Sequence, residues 1–211
     1  MQFDLNYLEN YQYIIGCDEV GRGPLAGPVV GCAVKLPKSS LNFLSKLGLT
    51  DSKKLTEKKR EKIIHELAIS FELNKNIEHK LFNYCLWSLS PQEIDEMNIL
   101  AASLSCMSKA AGLLMCDHSL TLIDGNKKFK EFLYPQEAIV KGDSKSLAIG
   151  LASIIAKVYR DNLMKELAIK YPGYGLESHA GYPTKKHKEA IINLGVTPIH
   201  RKTFKGVKEF I

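Results

Sequence analysis

The sequence predicts an α/β layered domain built on a mixed sheet. Apolar runs of strand length first occur close together, joined by a short glycine-rich link. They then alternate with segments of helical periodicity. The 211 residues suffice for one domain spanning 1–211 with a sizeable core, and the 45% apolar and 25% charged residues are ordinary for a globular chain. No internal repeat, linker or low-complexity tract divides them.

Tyr13-Ile14-Ile15-Gly16-Cys17 reads as the first strand and Val29 to Val34 as the second. Gly21-Arg22-Gly23-Pro24 turns between them, which predicts an antiparallel hairpin. Lys35 to Lys54 is a polar loop with a few apolar anchors. Thr56 caps a helix to about Phe71 with Ile63, Ile64, Leu67 and Ala68 on one face. Ile77 to Trp87 alternates as a third strand. Ser90-Pro91-Gln92-Glu93 combines a capping residue, an N1 proline and a glutamate three past the cap. The helix it starts runs to about Met115, with a break near Asn98. Leu120 to Ile123 and Ala138 to Val140 are the fourth and fifth strands. Ser144 to Lys170 is the longest helix, and Thr184 caps a last one that stops at Gly195. Tyr171 to Thr184, rich in Gly and Pro, reads as an ordered loop able to lie over a site.

Lysine and arginine number 29 against 23 acids, a formal charge of +6. That excess fits a polyanionic partner or an ordinary basic enzyme equally well. Cys17, Cys32, Cys85, Cys106 and Cys116 have no metal-ligand spacing and sit in apolar surroundings. They read as reduced core thiols, which suits the cytosol and argues against a cysteine nucleophile. The N-terminus lacks the pattern of a signal peptide, and no run approaches the length of a membrane span. The expectation is a soluble cytoplasmic protein with no membrane partner.

Asp18-Glu19, Asp124 and Asp143 each follow an apolar strand, and each has a glycine beside it that lets the backbone turn. A buried carboxylate is costly alone, whereas several that converge hold a hard cation through oxygen. Without His or Cys nearby, the set selects Mg²⁺ or Mn²⁺ over zinc and suits two-metal phosphoryl transfer. Strand alternation sends Asp18 and Glu19 to opposite faces, so the chain must bend directly after them. Read singly, each acid is better explained as a cap or surface turn, and Asp143 could be only an N-cap. A second, basic set comprises Ser52-Lys53-Lys54, Lys127-Lys128, Lys141, Lys145 and His200-Arg201-Lys202. It could line one phosphate-tracking surface or several solvated faces. His179, His187 and His200 lack zinc spacing and read as surface or structural residues.

The run from Asp18 to Val29, Asp-Glu-Val-Gly-Arg-Gly-Pro-Leu-Ala-Gly-Pro-Val, resembles the ribonuclease HII family. So do, in order, Asp51 to Leu55, Ile123 to Asn126, Lys141 to Lys145, Ala152 to Val158, His179 to Thr184 and His200 to Phe204. The resemblance implies a ribonuclease H-like fold with a central five-stranded mixed sheet flanked by helices. It implies an endonuclease that cuts 5′ to a ribonucleotide, leaving 3′-hydroxyl and 5′-phosphate ends. The implied substrates are RNA–DNA hybrids and DNA duplexes with embedded ribonucleotides. Asp18, Glu19, Asp124 and Asp143 would be the catalytic metal ligands. Gly21, Arg22 and Gly23 would read the ribose 2′-hydroxyl, the group that separates RNA from DNA. Tyr182 would pack on the sugar at the RNA–DNA junction, and Ser52 and Lys53 would hold backbone phosphates.

The sister family, ribonuclease HIII, carries an extra N-terminal domain and commonly a glutamate as last ligand. The 17 residues before Asp18, and Asp143 itself, favour HII. The chain stops soon after Phe204, so the extension of longer relatives is expected to be absent. The Asp18 motif has the bacterial form, which implies a monomer. Two other functions remain open on sequence: a DNA nuclease or resolvase of the same superfamily, and a non-catalytic nucleic-acid binder.

Overall fold

Strand β1, Tyr13–Val20, is the axis of the molecule. In the computed structural model, which describes residues 1–49, 52 and 54–211, β1 pairs antiparallel with β2 (Val29–Pro37) and parallel with β5 (Ser119–Asp124). Beyond β2 come β4 (Asn83–Leu89) and β3 (Ile77–Glu78); beyond β5 comes β6 (Gln136–Ile139). The sheet order is β3-β4-β2-β1-β5-β6. The expected hairpin is present, and the sheet is mixed as predicted. It has six strands because the run expected as one strand over 77–87 folds back between Glu78 and Asn83, adding the two-residue edge β3.

Alternation along β1 sends Ile14 to one face and Ile15 to the other. The Ile14 face is covered by α6, Leu147–Lys170, with α3 (Glu57–Glu66) against it. Gly16 lets α6 approach this closely: a Cβ there would sit 2.3 Å from the Ala148 carbonyl carbon and the Ile149 nitrogen. The Ile15 face is covered by α5, Ile99–Gly112, through Met107, Ala110 and Ala111 against Cys17, Ala33 and Cys85. Burying each large apolar side chain contributes about 1.5–3 kcal/mol, so this two-sided core dominates stability.

The helix signals work locally. Thr56 accepts the Lys59 N–H at 3.3 Å, but α3 ends at Glu66, short of the expected Phe71, where Ala68 takes a left-handed φ of 49°. Ser90 and Glu93 form a complete capping box on α4, Pro91–Met97. The expected break falls at Asn98, φ 70°, whose Oδ1 then accepts from Leu100 and Ala101 to start α5. Thr184 caps α8, Lys185–Leu194, through the His187 N–H, and the short α7, Leu176–His179, precedes it. The polar stretch after β2 contains a short helix, α2 (Leu41–Ser45), anchored by buried Leu41 and Leu44.

Helix α1 (Gln2–Tyr7), like α2 and α7, has no counterpart in the sequence reading. It carries Asp4, fully buried, which accepts from Ser146 Oγ at 2.6 Å and from the Leu147 N–H at 2.7 Å. A carboxylate from the chain's start thus caps the N-terminus of α6. Cys17, Cys32, Cys85 and Cys106 are buried free thiols and Cys116 is half-buried, as expected for core cysteines. Burial pushes the Cys106 thiol up to about 12, far from a nucleophile's range. Among the described residues, no helix is long and apolar enough to cross a membrane.

Candidate active site

The acids gather where β1 and β5 end side by side. The parallel register pairs Cys17 with Ile123, which puts Asp18 and Asp124 at the next position of adjacent strands. The strand keeps its pairing through the acids and turns just after them, at the glycine named for that bend. Asp18, Glu19 and Val20 all keep their ladder partners in β2, and the turn waits for Gly21 at φ 96°.

Asp18 is 7% exposed, and its Oδ1 accepts the Glu19 N–H at 2.7 Å. It faces α6, where the nearby Ser153 hydroxyl acts to lower its pKa. Burial, then the neighbouring charges of Glu19 and Asp124, hold the Asp18 carboxyl well above the usual carboxylate range. Glu19 sits 3.4 Å from the Arg22 guanidinium. Asp124 Oδ1 accepts the Gly142 N–H at 2.7 Å, which ties the end of β5 to the turn that carries Asp143. Asp143 lies in the 3-10 turn Gly142–Ser144. It does not cap α6: Ser146 does so, through the Ile149 N–H at 3.3 Å.

Among the described residues, no three Asp, Glu, His or Cys side chains form a ready-made cation cage. The donor set nonetheless fits one class of ion. Like charges driven together in a buried place are stabilised by a cation, and an all-oxygen set suits Mg²⁺ or Mn²⁺. Mg²⁺ is usually held by one or two carboxylates, water and substrate phosphates, which does not require a closed protein cage.

The glycine turn and Tyr182 lie side by side. A Cβ at Gly23 would lie 3.3 Å from the Tyr182 ring, and that ring is 39% exposed. Gly21 backs onto Arg160, whose Nε would be 2.4 Å from a Cβ placed there, so Gly21 is required by both its φ and its packing. The Leu25 N–H donates to the Gly181 carbonyl at 2.8 Å, joining the two loops.

The basic set splits. Lys127, Lys128, Lys141, Lys145 and Lys202 are exposed, but His200 and Arg201 are buried. These two belong to the interior and not to a phosphate-tracking surface. Ser52 is also buried, with its Oγ 2.8 Å from Ser153 Oγ, so its hydroxyl faces inward toward α6. Lys53 lies outside the described residues. His179, His187 and His200 stack beneath the Tyr182 loop. The His179 and His187 rings are 4.7 Å apart, and His187 Nε2 is 3.3 Å from His200 Nε2. Sequence reasoning gave no site role to Ser153 or Arg160 and read Arg201 as basic surface. Ser153 and Arg201 stood in blocks that resemble the family, and nothing local marked Arg160.

A mixed sheet with helices on both faces and carboxylates at the ends of two adjacent central strands defines the ribonuclease H-like class. The structure aligns with the crystal structure of the ribonuclease H2 from Pyrococcus horikoshii OT3 at a TM-score of 0.74, with 28% identity over 94% of this chain and 96% of that one. The sequence model of the family described as Ribonuclease HII matches residues 15–207. Ribonuclease HII of Trichodesmium erythraeum (strain IMS101) is 49% identical over 90% of this chain and 85% of its own length. That of Endomicrobium trichonymphae is 46% identical over 99% of this chain and 93% of its own length. The chain belongs to the ribonuclease HII family and is a ribonuclease H endonuclease.

Proposed function

We propose that this chain is a single catalytic domain that hydrolyses the phosphodiester 5′ to a ribonucleotide, in RNA–DNA hybrids and in DNA duplexes with embedded ribonucleotides. The observation that carries the reading is the in-register placement of Asp18 and Asp124 at the ends of adjacent strands, within a few residues of a glycine turn that touches Tyr182.

Asp18, Glu19, Asp124 and Asp143 would hold Mg²⁺ or Mn²⁺. When bound, a pair of such ions supplies an activated water and neutralises the leaving oxygen. The protein's share is positioning. The Glu19 N–H holds Asp18 Oδ1, and the Gly142 N–H orients Asp124. The Gly21–Gly23 turn presents backbone to the ribose, where a 2′-hydroxyl both donates and accepts, and Tyr182 lies flat ground for the sugar at the junction. Exposed Lys127, Lys128, Lys141 and Lys145 supply counter-charge to the duplex backbone. The enzyme works as a cytoplasmic monomer in removing ribonucleotides from DNA.

The test is one labelled DNA duplex with a single ribonucleotide, incubated with Mg²⁺, with Mn²⁺ and with chelator, beside an all-DNA control. Metal-dependent cutting 5′ to the ribonucleotide, with the control intact, is expected. Equal cutting of the control would redirect the reading to a DNA nuclease, and binding without turnover to a non-catalytic binder.

A further inference from the structure

Arg160 and Arg201 are the two largest fully buried side chains of the protein, each 0% exposed. Neither has an ion-pair partner among the described residues. A buried cation without a carboxylate is costly unless every donor is satisfied. Here backbone carbonyls do that work. Arg201 donates from Nε to Gly27 at 3.0 Å, from Nη1 to Arg22 at 3.0 Å and from Nη2 to Gly21 at 2.6 Å. Arg160 donates from Nε to Pro28 at 2.9 Å, from Nη1 to Ala180 at 3.0 Å and from Nη2 to Ala26 at 3.1 Å. All acceptors but Ala180 lie in residues 21–28, and Ala180 leads into the Tyr182 loop.

The orientation this imposes has a chemical consequence. In a trans peptide the carbonyl and the N–H point in opposite directions. Arg201 draws the Gly21 and Arg22 carbonyls inward, so the N–H groups of Arg22 and Gly23 point away from the interior. Both residues are exposed, and neither N–H donates to any group among the described residues. They are free to donate to a hydroxyl oxygen. An aliphatic side chain in place of Arg201 would fill space but leave the two peptide planes free to rotate.

We propose that Arg160 and Arg201 are positioning residues for ribose recognition. Arg201 aims the Arg22 and Gly23 N–H groups outward, and Arg160 fixes the distance between that turn and the Tyr182 loop. The proposal rests on the reading above that the Gly21–Gly23 turn contacts the 2′-hydroxyl. Arginine is needed because its planar fork reaches three carbonyls at once, whereas a lysine has a single nitrogen.

The experiment compares wild type with Arg201→Lys, Arg160→Lys and Gly23→Ala. A core control, Ile154→Val, provides a loss of stability remote from the turn. Each is assayed for kcat and KM on the single-ribonucleotide duplex, for inhibition by the all-DNA duplex of the same sequence, and for Tm. Arg201→Lys is expected to lower kcat/KM by about 10²-fold, the scale of a misplaced binding group. Its inhibition by all-DNA duplex should be unchanged, because the exposed lysines that meet phosphate are untouched. Ile154→Val should lower Tm without that loss. If both Arg→Lys variants retain wild-type kcat/KM while Gly23→Ala loses it, the positioning role is overturned and ribose reading by the turn stands. If Gly23→Ala also retains it, the turn is not the reader and both fall. Should Arg201→Lys fail to fold, Arg160→Lys decides alone: it leaves the Gly21 and Arg22 carbonyls bonded and must still show a smaller loss in the same direction.

Discussion

Asp124→Asn separates chemistry from folding more cleanly than any other single change. The asparagine keeps a carbonyl oxygen where Asp124 Oδ1 now accepts the Gly142 N–H at 2.7 Å. Weakening a charge-assisted bond to a neutral one costs about 1 kcal/mol. Removing a negative charge beside buried Asp18 acts in the opposite direction, since Asp124 is one of the charges that raise the Asp18 pKa. The two roughly cancel, so Tm should move by no more than about 4 °C, the shift that 1 kcal/mol produces in a domain of this size. The cation loses a full unit charge from its shell. A charge pair 4 Å apart at an effective dielectric of 20 is worth about 4 kcal/mol, so cleavage should fall by about 10³-fold. The assay is single-turnover cutting of the single-ribonucleotide duplex in Mg²⁺ and in Mn²⁺, with duplex affinity measured in chelator and Tm by calorimetry. Cutting within about tenfold of wild type would remove Asp124 from the ligand set. A large fall in Tm would make it a structural residue instead.

Tyr182→Ala should reduce cutting at a single embedded ribonucleotide more than cutting of a long hybrid; equal losses on both would refute its role at the junction. Gly16→Ala should cost about 3 kcal/mol, the upper end of overpacking, because the new methyl meets α6 backbone at 2.3 Å; a denaturant-melt change under about 1 kcal/mol would show that α6 can shift. His187 and His200 are buried against each other, His179, the Tyr174 ring and Thr197, with burial lowering both from 6.5 and His200 to about 4. The unfolded chain therefore takes up protons first. Stability is intact above pH 6.5 and falls as pH drops toward about 4, by up to about 1.4 kcal/mol per pH unit for His200, with His187 acting in the same direction. Urea melts from pH 7 to 4.5 check this, and a His200→Gln protein with the wild-type slope would contradict it.

The hairpin, the alternation of strands and helices and three of the helix starts were legible because each has a local cause: Ser90 with Glu93, and the caps Thr56 and Thr184, act within one turn. The neighbouring placement of Asp18 and Asp124 was legible because a carboxylate after an apolar run conflicts with burial. The edge strand Ile77–Glu78 was not, since its two residues are extended only through pairing with β4. Helix α1 was not, because Asp4 finds its partners in α6. Arg201 was read as surface for a similar reason. A basic residue in a loop is usually solvated, and only the convergence of Gly21, Arg22 and Gly27 around it reverses that expectation. Ser52 follows the same pattern, a polar side chain whose partner, Ser153, is distant in sequence.

Asp4 bonds to groups 142 and 143 positions further along the chain, and β1 pairs with a strand that begins at Ser119. A ribosome delivers these parts in order. The β1–β2 hairpin can close early, but the parallel edge of β1 stays open until β5 emerges. Asp4 keeps its hydration until Leu147 follows. The N-terminal segment therefore locks only after the start of α6 has emerged, although it is made first, and until β5 appears the nascent chain carries a central strand paired on one edge alone. Sequences that slow translation before β5 would lengthen that exposure and favour aggregation over folding.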